Sequence, residues 1–322
     1  MIIQQHLEKE YNMYKYPSIE QFRNCIKEVQ RLYKDKPLPI LTFTGSVKLH
    51  GTNAGVELPA NIPQSRNQVL SENNDNYGFY PFHKERKEIF QQIYDSLGLD
   101  LPIVIYGEWA GKGIQQNVAI SKLNKAFYIF GIKVITGEDT HYWLKDFEII
   151  NYEERIFTVQ SFGIWTLAID FNYPELIQNK LQEFTIQVEQ ECPIANWFGV
   201  SGIGEGIVWE YIDDEGQILS FKVKGEKHSS SKVKVLAAID TEKVKSIKEF
   251  VDTVLTDTRL EQAYFECNNT TDMIGIGLFL KWINTDIFKE ESDTLEVSGL
   301  TIKDVGSAIS KQAKQWYMEK IK

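Results

Sequence analysis

Cysteine is scarce in this sequence, and the few present do not pair. Cys25, Cys192 and Cys267 stand far apart with no CxxC spacing, which argues against a disulfide framework or a zinc ribbon and leaves isolated thiols. Long apolar runs are missing as well. No segment approaches the roughly 20 apolar residues of a membrane-spanning helix, and the opening stretch Met1 to Glu8 lacks the basic-then-apolar pattern of a secretory leader. A cytoplasmic protein without a membrane partner is expected, and the Asn268-Asn269-Thr270 glycosylation match is then idle. Positive charge is in deficit: the formal net charge is -10, which argues against a passive, charge-driven coat on nucleic acid.

What is present is ordinary globular material. The chain has 322 residues, 43% hydrophobic and 25% charged, enough for a large catalytic domain plus a smaller module. Pro17-Ser18-Ile19-Glu20-Gln21 has capping-box spacing ahead of Phe22, Ile26, Val29 and Leu32, which predicts an opening amphipathic helix. From Ile40 to Leu58 the pattern is strand, tight turn, strand. A helix is expected over Lys84 to Leu97, ended by Gly98, and strands over Ile103 to Tyr106 and Phe127 to Val134. Pro174 stands at a first helical position, and Ile207 to Tyr211 and Ile218 to Val223 flank Asp213-Asp214-Glu215-Gly216 as a hairpin. Beyond the polar stretch Gly225 to Lys234 helical periodicity takes over, in Glu242 to Leu255, Arg259 to Glu266, Met273 to Ile283 and Lys303 to Lys320, the last with Thr301 to Asp304 as its cap. The expected organisation is an α+β domain over 1–235 and a small all-helical domain over 236–322.

The candidate chemistry begins at Lys48-Leu49-His50-Gly51-Thr52-Asn53, a turn between strands presenting a lysine. A lysine is a nucleophile only when deprotonated, so its site must favour the neutral form against a free pKa of about 10.4. Lys222 and Lys224 alternate with Val223, so on a strand they share a face; were that face to meet Lys48, their charges would favour neutral Lys48. Lys222, Lys224, Lys227, Lys232 and Lys234 cluster with only Glu226 opposing them in sequence. Alone, KxxGxN is weak evidence, since a surface lysine before a turn explains it more often than not. Gly107 to Gly113 superficially suggests a Walker A loop, but it is one spacer short and lacks Ser or Thr after the lysine.

The wider pattern is more specific. Tyr106-Gly107-Glu108-Trp109-Ala110-Gly111, Phe127 to Ile132, Glu205-Gly206-Ile207-Val208 and Lys222-Val223-Lys224 follow Lys48 in order. Together these five motifs resemble the ATP-dependent polynucleotide ligases and capping enzymes, and most closely the phage RNA ligase 2 type. His50 and Asn53 in KLHGTN, where DNA ligases and capping enzymes characteristically have Asp before the glycine, carry the subfamily likeness, with Gly107 to Gln115 as an extended third motif. The resemblance covers about residues 40 to 235 and implies a nucleotidyltransferase (ATP-grasp-like ligase) domain of antiparallel sheets with flanking helices.

The resemblance also implies roles. Lys48 would take AMP from ATP, Lys222 and Lys224 would stabilise phosphate charge, and Arg66 would contact phosphate. Glu108 would hold the ribose, Phe130 would stack on adenine, and His50 and Asn53 would offer hydrogen bonds. Glu205 would hold magnesium or manganese. The substrate implied is RNA with 3'-hydroxyl and 5'-phosphate ends, including nicked duplex, in RNA repair. Two departures from the family pattern are Gly131, where Asp is common, and Val47, where an acidic residue often stands. DNA ligases and capping-type nucleotidyltransferases share the lysine chemistry, and a non-catalytic RNA-binding module is the reading of a different class.

Overall fold

The computed structural model describes residues 13–34, 37–172, 174–228, 247–267 and 273–321. The expected domain boundary near 235, Lys232, Lys234, the start of the Glu242 helix, Met1 to Glu8 and the Asn268 triplet lie outside the described residues. The chain divides into two compact units interleaved in sequence: Met1–Ile19, Leu41–Ala168 and Gln190–Ser220 form the first, and Glu20–Ile40, Ile169–Glu189 and Phe221–Lys322 the second.

The first unit is built on two sheets. In one, the strand Ile40–Lys48 pairs antiparallel with Gly206–Ile212, so that Lys48 faces Gly206, Ser46 faces Val208 and Thr44 faces Glu210. Residues directly opposite in such a pair share a face. Leu41, Phe43, Gly45 and Val47 are buried on one side and Thr42, Thr44, Ser46 and Lys48 occupy the other, a period-two alternation that fixes which face carries chemistry. Gly45 is required on the packed side, where a Cβ would meet the Trp209 ring at 2.9 Å.

The second sheet has seven strands and carries Thr52–Leu58, Ile103–Ala110 and Ala126–Ile135 side by side. Its outer face is covered by two helices, Phe79–Glu85 and Lys87–Ser96, whose Phe79, Phe82, Phe90 and Ile93 pack against Ile105, Trp109, Phe127 and Ile129. Each such side chain, where fully buried, contributes roughly 1.5–3 kcal/mol. The single helix expected over Lys84 to Leu97 is thus two, broken at Arg86, whose guanidinium reaches the carbonyl oxygens of Phe82 and Glu154. Gly98, with φ +63°, terminates the second as expected.

The central strand Ala126–Ile135 contains a bulge. Tyr106 pairs with Gly131 but Gly107 with Ile129, leaving Phe130 as the extra residue. The strand therefore changes face midway: Phe127 and Ile129 before the bulge, and Ile132 and Val134 after it, all reach the same core.

In the second unit the helix Phe22–Leu32 forms as its periodicity demands, but its capping box does not. Gln21 is the N-cap residue without a side-chain bond, because Glu20–Gln21 pairs as a short parallel strand with Phe221 and Lys222. Ser18 instead accepts a hydrogen bond from Arg66. The C-terminal helices Ile247–Val254, Asp257–Glu266, Ile276–Glu290, Ser292–Val297 and Ile302–Lys320 enclose a core of Phe250, Leu260, Phe279, Ile283, Ile309 and Tyr317. Thr301 and Asp304 form the expected capping box. Arg259 is fully buried within this bundle and satisfied by Asp286 at 2.9 Å and Glu291 at 3.1 Å. The α+β architecture with two sheets, flanking helices and a helical C-terminal region is the one the sequence implies. Among the described residues no helix is long and apolar enough to cross a membrane.

Candidate active site

The turn after Lys48 is shaped by a glycine and closed by side chains. A Cβ at Gly51 would overlap the Trp109 carbonyl oxygen, so only glycine lets the two backbones approach. The Gly51 N–H donates to the Glu108 carboxylate at 2.8 Å, and Gln115 donates to the Gly51 carbonyl at 3.3 Å. Asn76 completes the brace: Thr52 Oγ1 donates to its Oδ1 at 3.1 Å, and its Nδ2 donates to the Asn53 carbonyl at 3.0 Å. The backbone polar groups of a turn that cannot join the ladder are satisfied in this way.

The turn holds Lys48 against an acid. Lys48 Nζ lies 2.8 Å from Glu205 Oε2, and His50 Nδ1 lies 3.2 Å from the same oxygen. Glu205 is 2% exposed, while Lys48 and His50 keep about a fifth of their side-chain surface. Glu108 stands opposite Asn53 in the adjoining strand pair, on its shared face. Burial pushes the Glu108 carboxyl up to about 7, aided by the Glu205 charge and opposed by Lys48, the Gly51 N–H and His50. Lys48 with His50, Glu108 and Glu205, from three separate stretches of sequence, are thus one cluster, with Asn53 beside it.

The remaining expected residues fall elsewhere. Phe130 lines a cavity of about 720 Å³ whose walls include Thr42, Thr44, Ser46, Trp143 and Glu210, a volume within the usual range for small-molecule sites. The cavity begins at Ser46, the next residue from Lys48 on the same strand face. Phe130 also meets the Tyr16 ring edge-on at 4.8 Å. Exposed Arg66 bonds Ser18 at 3.2 Å. Lys222 and Lys224 belong to the second unit, half-buried on either side of buried Val223 as alternation requires. Lys222 Nζ is paired with Glu290 at 3.1 Å, and Gln21 Nε2 donates to the same carboxylate at 2.8 Å. Acidic opposition to this lysine run therefore comes from 68 residues away, beyond any local reading of charge.

Sequence reading missed Glu210 and Tyr16. The Tyr16 hydroxyl donates to Glu210 Oε1 at 2.7 Å across 194 residues of sequence. The only sequence signal was the alternation after Glu205, which places Gly206, Val208 and Glu210 on one strand face.

Residues 41–224, more than half of the chain, match the RNA ligase family, and the chain belongs to that family. Among solved structures it is similar to the Naegleria gruberi RNA ligase with pyrophosphate, at 20% identity over 66% of this chain with a TM-score of 0.40. A variant of that enzyme with ATP and manganese gives 19% identity, the same coverage and a TM-score of 0.41. The chain spans 56% of the length of these structures. No curated protein matches the sequence.

Proposed function

We propose that the chain is an ATP-dependent RNA ligase working through a lysyl-AMP intermediate on Lys48. The observation that carries this reading is the cluster at the end of the Ile40–Lys48 strand: a lysine amine on a buried carboxylate, a second carboxyl beside it, and a nucleotide-sized cavity opening along the same face. Family membership supports the substrate class.

In the first step Lys48 Nζ attacks the α-phosphorus of ATP, the bond to pyrophosphate breaks, and AMP remains on nitrogen. The amine must first give up a proton to solvent; its ion pair with Glu205 favours the charged form, and a divalent cation held by Glu205 would release that pair and favour the neutral amine. AMP then passes to an RNA 5'-phosphate, and a 3'-hydroxyl displaces it to form the phosphodiester. Glu108 is assigned to the ribose hydroxyls, Phe130 to the base, and His50, Asn53 and Arg66 to ribose and phosphate. Lys222 and Lys224 are assigned to charge stabilisation on the transferred phosphate, which requires Lys222 to exchange Glu290 for that phosphate. The segment to 235 would carry adenylation and the helical segment beyond it RNA docking.

Among the described residues no group of three or more His, Cys, Asp and Glu is arranged to hold a metal ion. Magnesium held by one carboxylate and substrate phosphates needs no such group, and Glu205 is a fitting hard donor. Bound there, magnesium or manganese would neutralise phosphate charge.

Incubation with α-labelled ATP and a divalent metal is expected to label the chain, with no label on Lys48→Ala; an unlabelled wild type sinks the mechanism. Nicks with defined ribose or deoxyribose termini separate RNA from DNA sealing. Equal sealing with deoxyribose on the 3'-hydroxyl side overturns the RNA assignment.

A further inference from the structure

We propose that Glu210, held in place by Tyr16, reads the amino-bearing edge of the purine whose nucleotide Lys48 attacks. The inference rests on the reading of Lys48 as the nucleotide acceptor, and adds a specificity residue that the motif series does not contain.

Glu210 lies opposite Thr44 in the antiparallel pair, as Gly206 lies opposite Lys48. It therefore shares the Lys48 face, four residues along it, or about 13 Å at the usual strand rise. A nucleoside attached through its phosphate at Lys48 and lying along this face extends its base toward that position. The cavity walls there are Thr42, Thr44, Phe130, Trp143 and Glu210. An aromatic ring and a carboxyl in one small cavity are complementary to a heteroaromatic ligand with a hydrogen-bond donor on its rim.

The carboxyl is built into place. Oε1 accepts the Tyr16 hydroxyl at 2.7 Å, and the Tyr16 ring is itself wedged edge-on against Phe130, Tyr106 and Trp143 at 4.8–5.3 Å. Half-buried Glu210 retains surface toward the cavity. Burial lifts its carboxyl to about 7 against the lowering effect of the Tyr16 bond, as expected of an acid with too few partners. A structural carboxylate withdrawn from water ordinarily collects more donors; this one lines a cavity of ligand size.

At position six adenine offers an N–H₂ donor, while guanine and hypoxanthine offer a carbonyl oxygen. The ionised carboxylate accepts from the first and repels the second, and an amino group donating to it favours that ionised form. Hydrogen bonds to a charged partner are worth about 1.5–3 kcal/mol, or roughly ten- to hundredfold in affinity.

The test is lysyl-nucleotide formation with ATP against purine riboside triphosphate, which lacks only the 6-amino group. Wild type is expected to favour ATP by roughly ten- to hundredfold in kcat/KM, and Glu210→Ala to bring that ratio near one through KM rather than kcat. Glu210→Gln, whose amide oxygen still accepts, is expected to keep most of the preference. A folded Glu210→Ala enzyme with the wild-type ratio overturns the assignment. Should Glu210→Ala fail to fold, Tyr16→Phe carries the test, with a reduced ratio expected and an unchanged ratio overturning it. Failure of the wild type to label with either nucleotide would instead overturn the reading of Lys48.

Discussion

Two units of this chain each bury glutamates, and treat them in opposite ways. In the second, burial raises the Glu290 carboxyl, but the Lys222 charge, hydrogen bonds from Gln21 and Lys222, and the Lys289 charge outweigh it and hold the group at about 2. In the first, Glu205 is paired with Lys48 and His50, but at Glu108 and Glu210 burial wins: both stand at about 7, the one accepting the Gly51 N–H and the other the Tyr16 hydroxyl. A carboxylate surrounded by donors contributes to folding, whereas one held short of partners is poised for a ligand that supplies them. The two under-partnered acids are the ones beside Lys48 and its cavity.

The largest expected effect tests the cluster itself. Glu205→Ala leaves Lys48 and His50 facing a space where their shared carboxylate stood. Labelling of Lys48 by ATP should slow by roughly 100- to 1,000-fold, the scale of a lost charge-stabilising group. Labelling within threefold of wild type would remove Glu205 from the mechanism and reduce its ion pair to a structural contact.

Glu290 should behave as a stability element. Its folded pKa lies below the ordinary value of 4.5, so its stabilisation is complete above that value and is lost as pH falls toward 2. Glu290→Gln is therefore expected to cost on the order of 3 kcal/mol at pH 7 and little at pH 2, read from denaturant melts at the two values. An equal loss at both would mean that shape, rather than charge, makes the contact.

The difference between the two kinds of glutamate was only partly legible in the sequence. Lys48, Gly51, Glu108 and Glu205 could be picked out because their motifs are short and contiguous, and the alternation of Lys222, Val223 and Lys224 transferred directly to a strand. The strand-turn-strand around Gly51 was legible because period-two burial and a glycine turn are local matters. Tyr16 with Glu210 and Lys222 with Glu290 were not, since each joins residues 194 or 68 positions apart, and no pattern on either segment names its partner. Local rules also lost outright at Ser18, where strand pairing of Glu20 and Gln21 displaced a well-spaced capping box. The Phe130 bulge was equally hidden, being a property of register between two strands rather than of either one.

The smallest effect is the one of opposite sign. Glu108 has a folded pKa above 4.5, so the folded state binds the extra proton and loses stability as pH rises from about 4.5 to 7. Glu108→Gln removes that penalty while retaining an oxygen to accept the Gly51 N–H. After a discount for the partly accessible, half-buried carboxyl, the variant should be more stable than wild type by on the order of 1 kcal/mol at pH 8 and indistinguishable at pH 4. The same substitution should weaken ATP-dependent labelling, because an amide is a poorer acceptor for ribose hydroxyls than a carboxylate. A variant both more stable and less active is what a binding acid kept short of partners predicts. One that is less stable at pH 8 would place Glu108 with Glu290, as a group whose partners are already complete.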